Sequence, residues 1–99
     1  FPHAKALLLD TFVPGVAGGS GQTFDWDLFT AAQRIHPSQP LILAGGLTPE
    51  NVFDAIQQVT PFAVDVSGGV EREKGIKDTK RIASFLARVM QADAALLEQ

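Results

Sequence analysis

Three short apolar runs limit what this chain can fold into: one around Ala6–Asp10, one around Leu41–Ala44 and one around Phe62–Val66. Each is nearly continuous. A strand that faces water on one side alternates apolar and polar residues, whereas a strand covered on both faces does not need to. The pattern therefore predicts short parallel strands.

Each run is followed by a loop and then by apolar residues at helical spacing. After the first, Asp25 is placed to cap a helix carrying Leu28, Ala32 and Ile35. After the second, "TPEN" reads as an N-cap at Thr48 with Pro49 in the first helical position, where the missing N–H costs nothing. Val52, Ala55, Ile56 and Val59 then follow at i, i+3, i+4, i+7. After the third, Asp78 is placed to cap a helix carrying Ile82, Phe85, Leu86 and Val89, and the Ala- and Leu-rich stretch from Met90 to Gln99 continues it. The chain thus reads strand-loop-helix three times, which implies an α/β fold with a parallel sheet and crossover connections. Residues 1–99 read as part of one such domain, with no second domain and no linker.

Three parallel strands leave two bare edges, and Leu7–Leu9 would form an apolar one that invites pairing. The topology is expected to need completion, by further sequence of the same barrel or sheet or by another chain. A formal charge of −3 with no Lys/Arg cluster points away from nucleic acid. No apolar run approaches the roughly 18 residues that would span a membrane. There is no cysteine and no basic-then-apolar leader, so a reducing, cytoplasmic setting is expected. His3 and His36 lie far apart and read as surface residues, so no metal site is expected.

Period-two alternation puts Ala6, Leu8 and Asp10 on one face of their strand, and Ala63, Asp65 and Ser67 on one face of theirs. If the bulkier residues Phe62, Val64 and Val66 face the helices, both carboxylates face a barrel interior or crevice. They also lie at the C-terminal ends of their strands, where parallel α/β proteins bind ligands and carry out chemistry. The simpler alternative is that each Asp only caps the loop after it. Three glycine clusters follow the strands: Gly18-Gly19-Ser20-Gly21, Gly45-Gly46 and Ser67-Gly68-Gly69. One cluster alone is turn punctuation. Two of them at the ends of adjacent strands, each ahead of a capped helix, fit a phosphate cradle built from backbone amides.

The order "LLLD…GGSGQTFDW…LILAGGLTPENV…AVDVSGGVE…GIKD" resembles the phosphoribosylanthranilate isomerase family over Leu7 to about Phe85. That family is a (βα)₈ TIM barrel of the ribulose-phosphate-binding type, and the match is to its last three βα units, strands six to eight. The resemblance implies an Amadori rearrangement of N-(5′-phosphoribosyl)anthranilate in tryptophan biosynthesis, with no cofactor. It gives Asp10 as the general acid, in a site whose burial would favour the protonated form, and Asp65 as a supporting carboxylate beside the substrate. Phosphate falls to Gly45, Gly46, Ser67 and Gly68. Gly18, Gly19, Ser20 and Gly21 correspond to a loop over the active site; Trp26 reads as packing the end of that loop onto the barrel, and the same packing is the simpler alternative for Phe24. Gly68 stands where many relatives carry serine. Glu71 and Lys77 read as surface or loop-ordering residues.

Two further family features have no counterpart here. The family's base is a cysteine on the first strand, and its anthranilate-binding arginine, unmatched by Arg34, Arg72, Arg81 or Arg88, lies in the same absent half. The implied enzyme is therefore expected to be inactive as these 99 residues alone. A second reading is a non-catalytic partial barrel that pairs with its own copy and keeps residual phosphate binding. A third, indole-glycerol-phosphate synthase, shares glycine-rich phosphate loops but fits the "GGSGQTFDW" and "DVSGGVE" pair poorly.

Overall fold

The computed structural model describes residues 6–11 and 26–98. The elements run β1 (Leu7–Asp10), α1 (Trp26–Ile35), β2 (Leu41–Ala44), α2 (Val52–Val59), β3 (Ala63–Val64), a 3₁₀ turn (Gly68–Val70), β4 (Glu71–Glu73), β5 (Ile76–Lys77) and α3 (Thr79–Leu97). The chain forms two compact units, one of residues 1–46 and 61–65, the other of residues 47–60 and 66–99.

The first unit holds a parallel sheet, as the apolar runs predict, in the order β1-β2-β3. Leu7, Leu8, Leu9 and Asp10 pair in register with Leu41, Ile42, Leu43 and Ala44, and Ile42 and Leu43 pair with Ala63 and Val64. Residues in register share a face, so Leu7, Leu9, Leu41, Leu43 and Val64 lie on one side and Leu8, Asp10, Ile42, Ala44 and Ala63 on the other. Leu41 and Leu43 are buried, while Leu8 is 55% exposed.

Two expectations need correction in this unit. The third strand is only Ala63–Val64, and Phe62, expected to pack toward a helix, is 70% exposed. In α1 the buried residue is Phe29; Leu28 and Ile35 of the expected stripe are exposed and Ala32 is half-buried. The spacing correctly marks a helix, but burial follows what the neighbouring elements cover. Asp25, the expected cap, lies outside the described residues.

The second unit is built on α2 and α3. Val52, Ala55, Ile56 and Val59 are all buried, as their spacing predicts. The helix begins later than expected, at Val52 with Asn51 as its N-cap. The "TPEN" segment before it is a reciprocal turn: Thr48 N–H donates to Asn51 Oδ1 at 2.8 Å, and Glu50 N–H donates to Thr48 Oγ1 at 3.2 Å. Val52 N–H already reaches the Thr48 carbonyl at 3.0 Å, so the capping chemistry expected of Thr48 is present even though regular helix starts three residues on. Thr60, with a left-handed φ of 41°, stops α2.

Asp78 caps α3 by accepting from Lys80 N–H at 2.9 Å, and the helix continues through the Met90 region to Leu97, both as expected. Phe85 and Ala92 are buried, which for the phenylalanine contributes roughly 1.5–3 kcal/mol. Gln57 Nε2 donates to the Ala92 carbonyl at 2.9 Å and the Arg88 guanidinium lies 4.7 Å from the centre of the Phe53 ring, so polar and cation–π contacts fix the α2–α3 pairing. Leu86, expected in the buried stripe, is exposed instead. The β4–β5 hairpin was not expected at all. No described helix is long and apolar enough to cross a membrane.

Candidate active site

In the first unit the parallel register brings the strand ends level. Asp10 is the last residue of β1 and lies opposite Ala44, the last of β2. Asp65 follows β3, and its N–H donates to the Leu43 carbonyl at 2.9 Å, continuing the ladder by one residue. The sheet thus carries Asp10 and Asp65 at the same end, on either side of β2. With strands about 4.8 Å apart, their backbones stand roughly 10 Å from each other. Alternation places Asp10 with Ala44 and Ala63, and carries Asp65 to the same face. Both aspartates are exposed. For Asp10 this corrects the expected burial.

β2 runs into Gly45 and Gly46, whose φ angles are 94° and 71°. Side-chain-bearing residues rarely adopt either angle, so the reversal after the strand requires this pair. The turn follows directly on Ala44, so these amides stand at the same sheet end as Asp10.

Thr11, which no motif or spacing singles out, secures that end. It is 1% exposed, and both its N–H (2.9 Å) and its hydroxyl (3.1 Å) donate to the Ala44 carbonyl. A buried hydroxyl must find a partner, and here that need ties the residue after Asp10 to the residue before Gly45. Thr11→Val keeps the shape and removes one of the two donors. It is expected to cost about 1 kcal/mol, read as a lower urea midpoint at unchanged m-value; an unmoved midpoint would show that the hydroxyl bond contributes nothing.

The second unit holds the other two expected phosphate residues. Ser67 and Gly68 open the 3₁₀ turn, and both are exposed. Lys77 Nζ donates to the Ser67 carbonyl at 3.0 Å, to Ser67 Oγ at 3.3 Å and to Glu71 Oε2 at 2.8 Å. Arg81 Nε donates to the Gly69 carbonyl at 3.0 Å while Arg81 NH2 meets Glu50 Oε1 at 3.0 Å, so α3 grips the turn and the segment before α2 together. Lys77, with Gly75 N–H beside it, holds the Glu71 carboxyl below the usual carboxylate range. The loop-ordering role expected of Glu71 and Lys77 is therefore visible in their contacts.

Asp10, Asp65, Gly45 and Gly46 are thus gathered in the first unit, and Ser67 and Gly68 stand in the second. Gly18, Gly19, Ser20, Gly21 and Phe24 lie outside the described residues, and Trp26 is half-buried at the start of α1. His36 is exposed; among the described residues no three His, Cys, Asp or Glu side chains group together.

A parallel α/β sheet with two carboxylates and a glycine turn level at its C-terminal end defines the class: an α/β protein with a candidate site at the strand ends. The profile of the family described as "N-(5'phosphoribosyl)anthranilate (PRA) isomerase" matches residues 1–88, and the chain belongs to that family. It is 58% identical over 89 residues to the N-(5'-phosphoribosyl)anthranilate isomerase of Pseudomonas fluorescens (strain Pf0-1), covering 90% of this chain and 42% of that protein. The crystal structure of phosphoribosyl anthranilate isomerase from Thermotoga maritima aligns with a TM-score of 0.70 at 45% identity, over 87% of this chain and 40% of that one. A further structure of the enzyme, in complex with reduced 1-(o-carboxyphenylamino)-1-deoxyribulose 5-phosphate, aligns with a TM-score of 0.64 at 42% identity, over 85% and 36% of the two chains. The 99 residues therefore span about two fifths of the length of such relatives.

Proposed function

We propose that these residues are the last three βα units of a (βα)₈ barrel, and that the complete barrel is a phosphoribosylanthranilate isomerase. The observation that carries this is the levelling of Asp10, Gly45-Gly46 and Asp65 at one end of a parallel sheet, in a chain of that family. The uncovered face around Leu8, the exposed Leu28 and Ile35 of α1, and the 42% coverage of a relative all agree with further sequence completing the sheet.

The chemistry follows from the residue types. The substrate is a phosphorylated aminoaldose bearing anthranilate. Asp10, in its acid form, gives its proton to the ribofuranose ring oxygen as the bond from that oxygen to the first carbon breaks. The anthranilate nitrogen supplies the electron pair, leaving a protonated imine. A base then takes the proton from the second carbon, giving an enolamine that tautomerises to the aminoketose. The base comes from outside residues 1–99, which contain no cysteine. Asp65 supports the substrate from the other side of β2. The amides of Gly45, Gly46 and Gly68 and the Ser67 hydroxyl hold the phosphate; the ligand in the structure cited above is a reduced deoxyribulose 5-phosphate. No step needs a metal or an organic cofactor.

The intact mass of the denatured natural polypeptide, followed by an isomerisation assay on it, tests this. A species near 20 kDa, about 200 residues, that converts the substrate is expected. A species of 10.6 kDa that self-associates and binds phosphate without turnover would replace this reading with the non-catalytic partial barrel.

A further inference from the structure

We infer that Lys77 is a positioning residue for phosphate: its ammonium turns the Ser67 hydroxyl into a committed donor and places a positive charge behind it. This rests on the reading of Ser67 as a phosphate ligand. An ammonium carries three protons and no acceptor, and Lys77 Nζ spends them on the Ser67 carbonyl, Ser67 Oγ and Glu71 Oε2 at 3.0, 3.3 and 2.8 Å. A serine hydroxyl has one proton and two lone pairs. With Lys77 donating to one lone pair, the hydroxyl proton is repelled from the ammonium and directed to another partner. A phosphate oxygen is such a partner, and a metal cation or a second donor is not.

The carbonyl contact adds a backbone effect. The Ser67 carbonyl also accepts from Val70 N–H at 3.4 Å, closing the 3₁₀ turn weakly. A charged donor on the same oxygen is the stronger restraint, so Lys77 fixes the turn that presents the Gly68 amide. Glu71 completes the arrangement. It is held by Gly75 N–H at 3.2 Å as well as by Lys77, and it offsets the lysine charge while the site is empty. Lys77 remains 47% exposed, so its field is not sealed from an incoming anion.

This assignment separates charge from simple bracing. If Lys77 and Glu71 only braced the hairpin, removing either charge would loosen Ser67 alike. If the ammonium acts on the anion, the two substitutions have different consequences. Glu71→Gln keeps an acceptor for Gly75 and Lys77 yet uncovers one positive charge.

The test is calorimetric titration of the intact natural polypeptide with inorganic phosphate, for the wild type and for Ser67→Ala, Lys77→Met, Lys77→Arg and Glu71→Gln. Lys77→Met is expected to weaken phosphate about tenfold, the scale of one charge-assisted hydrogen bond. Lys77→Arg restores most of the loss, and Glu71→Gln binds as tightly as wild type or more tightly. Equal weakening by Lys77→Met and Glu71→Gln would reduce the pair to a brace and overturn the inference. So would wild-type affinity in Lys77→Met while Ser67→Ala still weakens binding, which leaves the phosphate reading of Ser67 standing. Ser67→Ala with wild-type affinity would remove that reading, and the role of Lys77 with it.

Discussion

Asp10→Asn in the complete polypeptide is expected to lower turnover by about 10²–10⁴-fold, the usual worth of a positioned general acid, while phosphate affinity stays within about twofold. Asparagine matches aspartate in size but has no proton to give to a ring oxygen. The backbone ladder opposite Ala44 is untouched by the change, and Thr11 still ties the end of β1 to β2. Steady-state kinetics alongside phosphate titration separates the two effects. Wild-type turnover in the variant would end the role given to Asp10. A parallel loss of phosphate affinity would show that the carboxylate acts on site geometry instead.

The largest stability effect is expected at Gly69. A Cβ there would collide with the Leu47 carbonyl oxygen, with the Leu47 carbonyl carbon at 2.8 Å and Thr48 Cα at 3.1 Å. All three are backbone atoms, so no rotamer change relieves the clash; either the 3₁₀ turn or the segment before α2 must move. Gly69→Ala is expected to destabilise by about 3 kcal/mol, a fall in melting temperature of roughly 6–12 °C for a protein near 200 residues. Gly68, one position earlier, has no atom within 4 Å of an added Cβ. Gly68→Ser is expected to stay within about 0.5 kcal/mol of wild type. Thermal unfolding of the two variants checks both values, and a Gly69→Ala protein that melts with the wild type would refute the close packing.

The parallel strands were legible because continuous apolar runs have few other uses in a chain this short; their order was not, because an apolar run does not say which strand it pairs with. The buried face of α2 was legible for a similar reason, since all four residues of its spacing are covered within one unit. Spacing marks a helix and not its neighbours, however, which is why Leu28, Ile35 and Leu86 sit in stripes that emerge exposed. Phe62 failed in the same way at the edge of β3. The β4–β5 hairpin had no apolar alternation to announce it: "EREKGIK" is held by the Lys77–Glu71 pair and the Gly75 contact, which appear only once the chain has turned back. Likewise the carboxylates and glycines of the candidate site could be aimed from strand period alone. Thr11 could not, because its importance lies in one carbonyl 33 residues away.

The turn at Gly45-Gly46 also restricts how this protein can vary. Each codon there encodes a residue whose backbone is costly for any other amino acid, about 1–2 kcal/mol per position. Two replacements together would take a sizeable share of the 5–15 kcal/mol that holds a typical domain folded. Substitution at these neighbouring codons is thus selected against, and a mutational library would be depleted of double replacements there before catalysis was ever screened.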